Sequence, residues 1–319
     1  MTYSLACRGV LVLGALWWIG CTQPASGASQ EPELAFEKGE GIRYQRLALV
    51  GGSALTLRYL GFKYFEATWY DGPKTDRIRW GYDWAGETYL NLDKGGHLMG
   101  GVVMAESLKA ALLWCGLRPR PAALLGSLAS WAALFEIEMR DAYYEHWGFS
   151  VPDFVANTIG ASLPLFHTFF PRTQAIRAKF SYFPSALYRD NEERRQAYRP
   201  HVNHLIDDYE GMTFWLTLAL RDFLPARQAA AWPEFLGLAV GYGATGLHGS
   251  NVKSKGPNKY YKDLPEARPE FFLSLDYDIR YLPGEGRVWS YLKETLKWIH
   301  LPAPTLRIYP GWRFYLLYM

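Results

Sequence analysis

Hydrophobic positions follow one spacing in the first half of this chain and another in the second. From about Gly41 to Phe170, apolar residues come in long runs whose polar interruptions fall three or four apart, the signature of helices. A first helix is expected from Gly41 to Ala67, opened by Leu47-Ala48-Leu49-Val50 and stopped by Asp71-Gly72-Pro73. Its Gly51-Gly52-Ser53 supplies small residues where another helix could come close. Thr75 to Asn91 is irregular and aromatic (Trp80, Tyr82, Trp84, Tyr89), as expected of a surface loop over the helices or at lipid headgroups. A second helix runs from Asp93 or Lys94 to about Gly116, and Arg118-Pro119-Arg120-Pro121 makes a tight basic connection. Pro121 suits the first turn of a third helix, Ala122 to about Tyr144. Ser150 is placed to cap a fourth, from about Val151 to Phe170, with Asp153 at its third position and Pro171 closing it.

Beyond Gly211 the period becomes two. In Phe271 to Tyr281 the odd positions are apolar or aromatic, and from Phe272 onward the even ones are mostly Ser, Asp and Arg, which is strand alternation with one face buried. Thr213 to Leu220 sets Phe214, Leu216, Leu218 and Leu220 on one face. Phe235 to Ala244 sets Leu236, Leu238, Val240 and Tyr242 opposite Gly237, Gly241 and Gly243. Leu306 to Tyr309 and Trp312 to Tyr318 flank Pro310-Gly311 as a hairpin, and Val288, Tyr291, Leu292, Thr295, Leu296 and Ile299 mark an amphipathic helix. About five strands are too few for a complete outer-membrane barrel, which starts at roughly eight. The expected fold is therefore mainly α with a smaller antiparallel β region. It consists of a membrane-associated four-helix bundle (41–171), a charged and aromatic connector (172–211), and a small sheet with one packed helix (212–319).

The polar residues that interrupt the helices are themselves patterned. Asp93 and His97 stand four apart, Glu138 and Asp141 three apart, and Asp153 and Asn157 four apart, with Gly160 continuing the last stripe. Each pair shares a helix face, and a polar group buried among apolar helices costs a few kcal/mol unless it is paired. Their most economical partners are each other.

Asp93-Lys94-x-x-His97, Glu138-x-x-Asp141 and Trp147-Gly148-x-Ser150-x-x-Asp153-x-x-x-Asn157-x-x-Gly160 together resemble the YfiM-like family of predicted periplasmic lipoproteins, a domain of unknown function. The likeness continues through Tyr198-Arg199-Pro200 and Asp208-Tyr209-Glu210-Gly211. A fainter one, to VanZ-like membrane proteins, rests on the Asp-Lys-x-x-His and Asp-x-x-x-Asn-x-x-Gly ends. The resemblance implies an envelope location and a fold, and no activity.

Composition adds to this. A net charge of +3 gives no sign of a nucleic-acid binder, and 16% aromatic residues, with 13 Trp and 22 Tyr, suit either a large aromatic core or a membrane interface. Arg8 followed by the apolar run Gly9 to Ile19 reads as an export signal (1–20), too short for the roughly 20 residues of a membrane span. Cys21 then stands where a lipoprotein cysteine is lipidated, with cleavage after Ala28 as the alternative, and residues 21–40 form a tether. Cys115 is left without a disulfide partner and reads as buried filler. The expected location is the periplasmic face of the envelope, the outer membrane favoured, with membrane lipid or an envelope protein as partner.

Two readings of the polar set remain open. His97, Glu138, Asp141 and Asp153, with Asp93 and Asn157 beside them, could hold a divalent metal or supply acid and base for hydrolysis or transfer on a lipid-linked substrate. Equally, they could be a buried network that fixes helix packing, with Lys94 neutralising an acid of the set. Glu136 and Glu106 are out of phase with the set and are expected at the periphery, with Glu136 paired to Arg140. His201, His204, Asp207 and Asp208 form a second polar cluster, read as a solvated face. No Gly-x-Ser-x-Gly or Walker motif occurs.

Overall fold

The structure, a computed structural model, describes residues 41–68, 70, 72–86, 88–145, 147–189, 208–247 and 267–319. The export signal, Cys21, the tether, Tyr198-Arg199-Pro200, and His201, His204 and Asp207 lie outside the described residues.

The chain is mainly helical with an antiparallel six-stranded sheet. Helices α1 (Tyr44–Thr68), α2 (Leu92–Trp114), α3 (Pro119–Asp141) and α4 (Val151–Phe169) form where the apolar runs place them. They do not pack as four equals. α2, α3 and α4 pack tightly on one another, while α1 touches little of α2 and leaves Leu49, Leu55 and Leu60 exposed. α1 is tied down by ion pairs and rings at its far end. Arg58 forks onto Glu136 at 2.6 and 2.9 Å, and Phe62 lies under the Arg140 guanidinium. Glu136 also pairs with Arg140, as its spacing predicts. Among the described residues α3 alone is long and apolar enough to cross a membrane by length and composition.

Glycine sets the distance between α2 and α4. A Cβ on Gly160 would lie 2.1 Å from the Leu98 carbonyl oxygen, and one on Gly101 would lie 2.6 Å from the Ala161 nitrogen. Only hydrogen at both positions lets the two backbones touch, as the small residue in the Asn157–Gly160 stripe suggests. Ser130 of α3 donates to the Gly101 carbonyl from a fully buried position, so the third helix is keyed to the same crossing. Trp131, Phe135, Phe149 and Phe154 stack around the α3–α4 contact with ring centroids 5.3–6.1 Å apart. Cys115 is buried and free, as read from its neighbours.

The sheet is an antiparallel meander, β3 (Ile176–Tyr182), β4 (Met212–Leu218), β5 (Leu236–Thr245), β6 (Arg268–Tyr277), β7 (Ala303–Tyr309) and β8 (Arg313–Tyr318), each strand paired to the next. Strand β3 falls in the stretch read as a connector, where the charged and polar side chains of Arg177, Lys179 and Ser181 hide its alternation. A two-stranded parallel ladder, β1 (Trp80–Gly81) with β2 (Phe149–Ser150), ties the aromatic loop to the start of α4. The short helices α5 (Ala186–Arg189) and α6 (Ala226–Ala231) and the expected amphipathic α7 (Arg287–Leu296) complete the set.

One face of the sheet is buried, and it is the polar one. Thr213, Trp215 and Thr217 of β4, Ser274 and Asp276 of β6, and Lys179 of β3 point inward, while Leu216, Leu238, Val240 and Leu273 point out and are exposed. The inner face is curled on itself. In a flat sheet β4 and β8 would stand about 19 Å apart, at ~4.8 Å per strand. Here the Thr213 and Tyr318 hydroxyls meet at 3.0 Å, and Trp215 stacks on His300 at 4.0 Å. Room for the Trp215 ring comes from the inward Gly241 of β5, where a Cβ would lie 2.5 Å from the ring, with Ala239 beside it. The exposed edge of β3 is closed by residues 298–300, through Phe180 N–H to Trp298 and His300 N–H to Phe180.

Among the described residues, two regions carry side-chain contacts between the second helix and the sheet. At one, Phe214 lies against Gly95 and Tyr242 donates to the Leu90 carbonyl. At the other, Glu106 accepts from Trp298 at 2.8 Å and Lys297 at 3.0 Å. Glu106 is therefore not peripheral to the fold, although it is outside the polar set.

The crossing gives a direct expectation for stability. Gly160→Ala forces a methyl into the Leu98 carbonyl and should lower unfolding free energy by about 3 kcal/mol. Gly100→Ala, in the same helix as Gly101 but with nothing within 4 Å of its Cβ, should be neutral or gain up to ~1 kcal/mol from helix propensity. Urea unfolding of the two variants checks both.

Candidate functional site

His97, Glu138, Asp153 and Asn157, drawn from the face-sharing pairs of the three packed helices, meet at one point. His97 leaves α2 one turn after its start, Glu138 lies near the end of α3, and Asp153 and Asn157 occupy the first two turns of α4. The local reasons are simple. Ser150 Oγ accepts the Asp153 N–H at 3.3 Å, so the cap fixes where α4 begins and aims Asp153 and Asn157 inward. The α2–α4 contact at Gly101 and Gly160 lies one turn beyond His97 and Asn157 on the same faces. It draws those two side chains within bonding distance.

At the centre, His97 Nδ1 and Asn157 Oδ1 are 3.1 Å apart, Asn157 Nδ2 donates to Glu138 Oε1 at 3.0 Å, and His97 Nδ1 lies 3.4 Å from the same oxygen. On the other side of the ring, Nε2 is 4.0 Å from Asp153 Oδ2. One ligand-type atom each from His97, Glu138 and Asp153 all fall within 4.8 Å of one another. Glu138 and Asn157 are 1% exposed, whereas the His97 side chain keeps 24% and is the group that solvent reaches. Asp153 is 91% buried, and its Oδ1 has no hydrogen-bond partner.

Around this trio lies a second set of polar groups. Lys94 reaches Asp93 at 2.8 Å, Asp83 at 3.1 Å and Asp153 Oδ1 at 3.6 Å, so it neutralises several acids rather than one. Asp141 does not join the trio. Its Oδ1 accepts the Tyr70 hydroxyl at 2.7 Å, and that tyrosine stacks on Tyr144. The sequence pattern finds His97, Glu138, Asp153, Asn157, Asp93 and Lys94, places Asp141 one contact too near, and misses Asp83 and Tyr70. Those two sit in irregular chain, where no periodicity marks a face.

The electrostatics follow from burial. Removal from water pushes the Glu138 carboxyl up to about 8, Asp153 and Asp141 adding to this and His97 opposing it. Burial likewise pushes Asp141 up to about 7 against the Tyr70 hydrogen bond, and Asp93 up to about 6 with Asp153 adding to it. For His97, burial disfavours the imidazolium, but the Asp153, Glu138 and Asp93 carboxylates outweigh it and raise the group above its ordinary range. The centre thus holds protons that its groups would release in water. Glu106 behaves oppositely. Burial is overcome by Lys297 and Arg177, and its carboxyl sits at about 2.

Residues 82–168 match the model of a family described as predicted periplasmic lipoprotein (DUF2279). The matched segment carries Asp83, Asp93, Lys94, His97, Glu138, Asp141, Asp153 and Asn157, and stops before the sheet begins. The motif-level resemblance to predicted periplasmic lipoproteins is thereby shown over those residues, and the fainter likeness to VanZ-like proteins is not. No curated protein and no solved structure matches the chain.

A pH dependence follows with a definite sign. Glu138 has a folded pKa of about 8 against an ordinary 4.5, so between these values the unfolded chain gives up a proton that the folded chain keeps. Its contribution is full at low pH and is lost as pH rises through about 8. His97, also raised, acts in the same direction. Metal-free protein should therefore lose about 1–3 kcal/mol between pH 5 and 8.5 relative to Glu138→Gln, which has no proton to lose there. Thermal melts across that range measure the difference.

Proposed function

We propose that this chain is an exported envelope lipoprotein whose helical unit binds a divalent cation through His97, Glu138 and Asp153. The observation that carries the reading is the convergence of an imidazole and two carboxylates from three different helices within 4.8 Å. Nitrogen and oxygen ligands sit about 2.0–2.2 Å from a transition metal, which puts ligand atoms roughly 3–4 Å from each other. His97 faces Glu138 through Nδ1 at 3.4 Å and Asp153 through Nε2 at 4.0 Å, so one nitrogen would coordinate and the three donors, within 4.8 Å of one another, would draw together around an ion. Asp153 turns Oδ2 toward His97, while Lys94 lies 3.6 Å from its Oδ1 and Asn157 holds Glu138, so both carboxylates are oriented from behind.

One imidazole and two carboxylates favour a borderline ion such as Zn²⁺ or Mn²⁺ over Ca²⁺, which takes six to eight oxygens. An ion held by these three residues would be reached by solvent beside His97. There a bound water would be acidified for attack on an ester or phosphoester, so hydrolysis or transfer on a lipid-linked envelope substrate is the accompanying chemistry. The family description supports the export and the lipid anchor, which Cys21 would carry.

Titration of the purified, chelator-treated protein with Mn²⁺ and Zn²⁺, read by calorimetry and by bound-metal analysis, tests the proposal. One site per chain is expected. His97→Ala and Asp153→Asn should weaken it by at least 100-fold while remaining folded, and Asp141→Asn, whose carboxylate faces Tyr70, should bind nearly as the parent does. A parent protein that binds neither metal, with His97→Ala, Glu138→Ala and Asp153→Ala all losing stability alike, would instead make the cluster a packing network.

A further inference from the structure

The sheet is turned inside out relative to a soluble one. Along β4, β5 and β6 Thr213, Thr217, Ser274 and Asp276 face the curled interior, and every outward position is apolar or aromatic. Most polar groups of the interior are paired with one another. Lys179 forks onto both Asp276 oxygens at 2.8 and 2.9 Å, Ser274 bonds Thr305 at 2.7 Å, and the Trp215 N–H donates to Ser181 at 2.9 Å. The outside is the opposite. Leu216, Leu238, Val240, Leu273, Phe314 and Leu316 are between 42% and 72% exposed. They adjoin through the strand register, with Leu216 opposite Val240, Val240 opposite Leu273, Leu273 opposite Leu306, and Leu306 opposite Phe314. They form one continuous apolar field, of the kind that marks an interaction surface.

We infer that this outer face is in contact with the acyl chains of a phospholipid bilayer. Three features favour lipid over a protein partner. A partner surface carries polar groups at its rim and some direct hydrogen bonds, whereas the outward positions of β4–β6 bear no charge at all. Polar-in, apolar-out alternation is the arrangement of membrane-embedded sheets, where the ladder satisfies the backbone and the solvent is hydrocarbon. Aromatic residues also gather at both ends of the field, Tyr309 and Trp312 at the β7–β8 turn and Phe235 with Tyr277 at the opposite end, as interfacial residues do. At the Tyr242 end of β4 and β5, the start of α2 covers the sheet through Phe214 and Leu92, so hydrocarbon meets the remainder of the face.

The test uses the full chain with Cys7→Ser and Cys21→Ser, so that no acyl anchor contributes and buried Cys115 is the remaining thiol. Single cysteines at Leu273→Cys, Leu316→Cys and, in an exposed loop, Glu285→Cys carry an environment-sensitive fluorophore. Vesicles of phosphatidylethanolamine and phosphatidylglycerol contain lipid with a nitroxide on its acyl chain. The labels at 273 and 316 should shift to the blue with vesicles and be quenched at least threefold more than the label at 285. Three results would each overturn the inference. One is no association with vesicles, and another is equal quenching at the three positions. The third is protection at 273 and 316 without vesicles that grows with protein concentration, which would assign the face to a second copy of the chain.

Discussion

The contact of α2 with α4 at Gly101 and Gly160 is the constraint on which the helical unit depends. Two backbones in van der Waals contact leave no room for water between them, so whatever polar groups flank the crossing must satisfy one another. His97 and Asn157 flank it on the same faces, and Glu138 on α3 completes the set because Ser130 keys that helix to the Gly101 carbonyl. An apolar crossing would have packed as well. Burying an imidazole, an amide and several carboxylates there is expensive in a medium of low dielectric, and groups placed at such cost are functional candidates.

The two halves of the chain share a physical plan. In the helical unit polar groups gather at the centre, while Leu124, Leu128 and Ile159 remain exposed outside. In the sheet the Lys179–Asp276 pair, Ser274 and Thr305 fill the inside, and leucine, valine and phenylalanine face out. Ordinary globular packing reverses both distributions. Buried charge with exposed hydrocarbon is what the proposed lipid contact requires, and aromatic residues are abundant without forming one large core.

Much of this was legible in the amino-acid order. Helix existence, the Ser150 cap, the role of Gly160 and the meeting of His97 with Glu138, Asp153 and Asn157 all follow from residues three or four apart. The four-way bundle did not follow, because the apolar content of α1 does not say whether protein or another medium covers it. Period-two alternation located most strands but could not say which face turns inward. That choice depends on the curl that brings Thr213 to Tyr318, a contact between residues more than a hundred positions apart. Strand β3 was hidden because its inward side chains are charged, and Asp83 and Tyr70 because irregular chain has no period to read.

The central claim is that His97 and Asp153 act on one another across two helices rather than merely lying near. A double-mutant cycle of His97→Ala, Asp153→Ala and the pair, read as unfolding free energy in urea at pH 6, measures this directly. The account predicts a coupling of about 1–3 kcal/mol between the two positions. Additive effects, with a coupling near zero, would contradict it and with it the convergence from which the site is drawn.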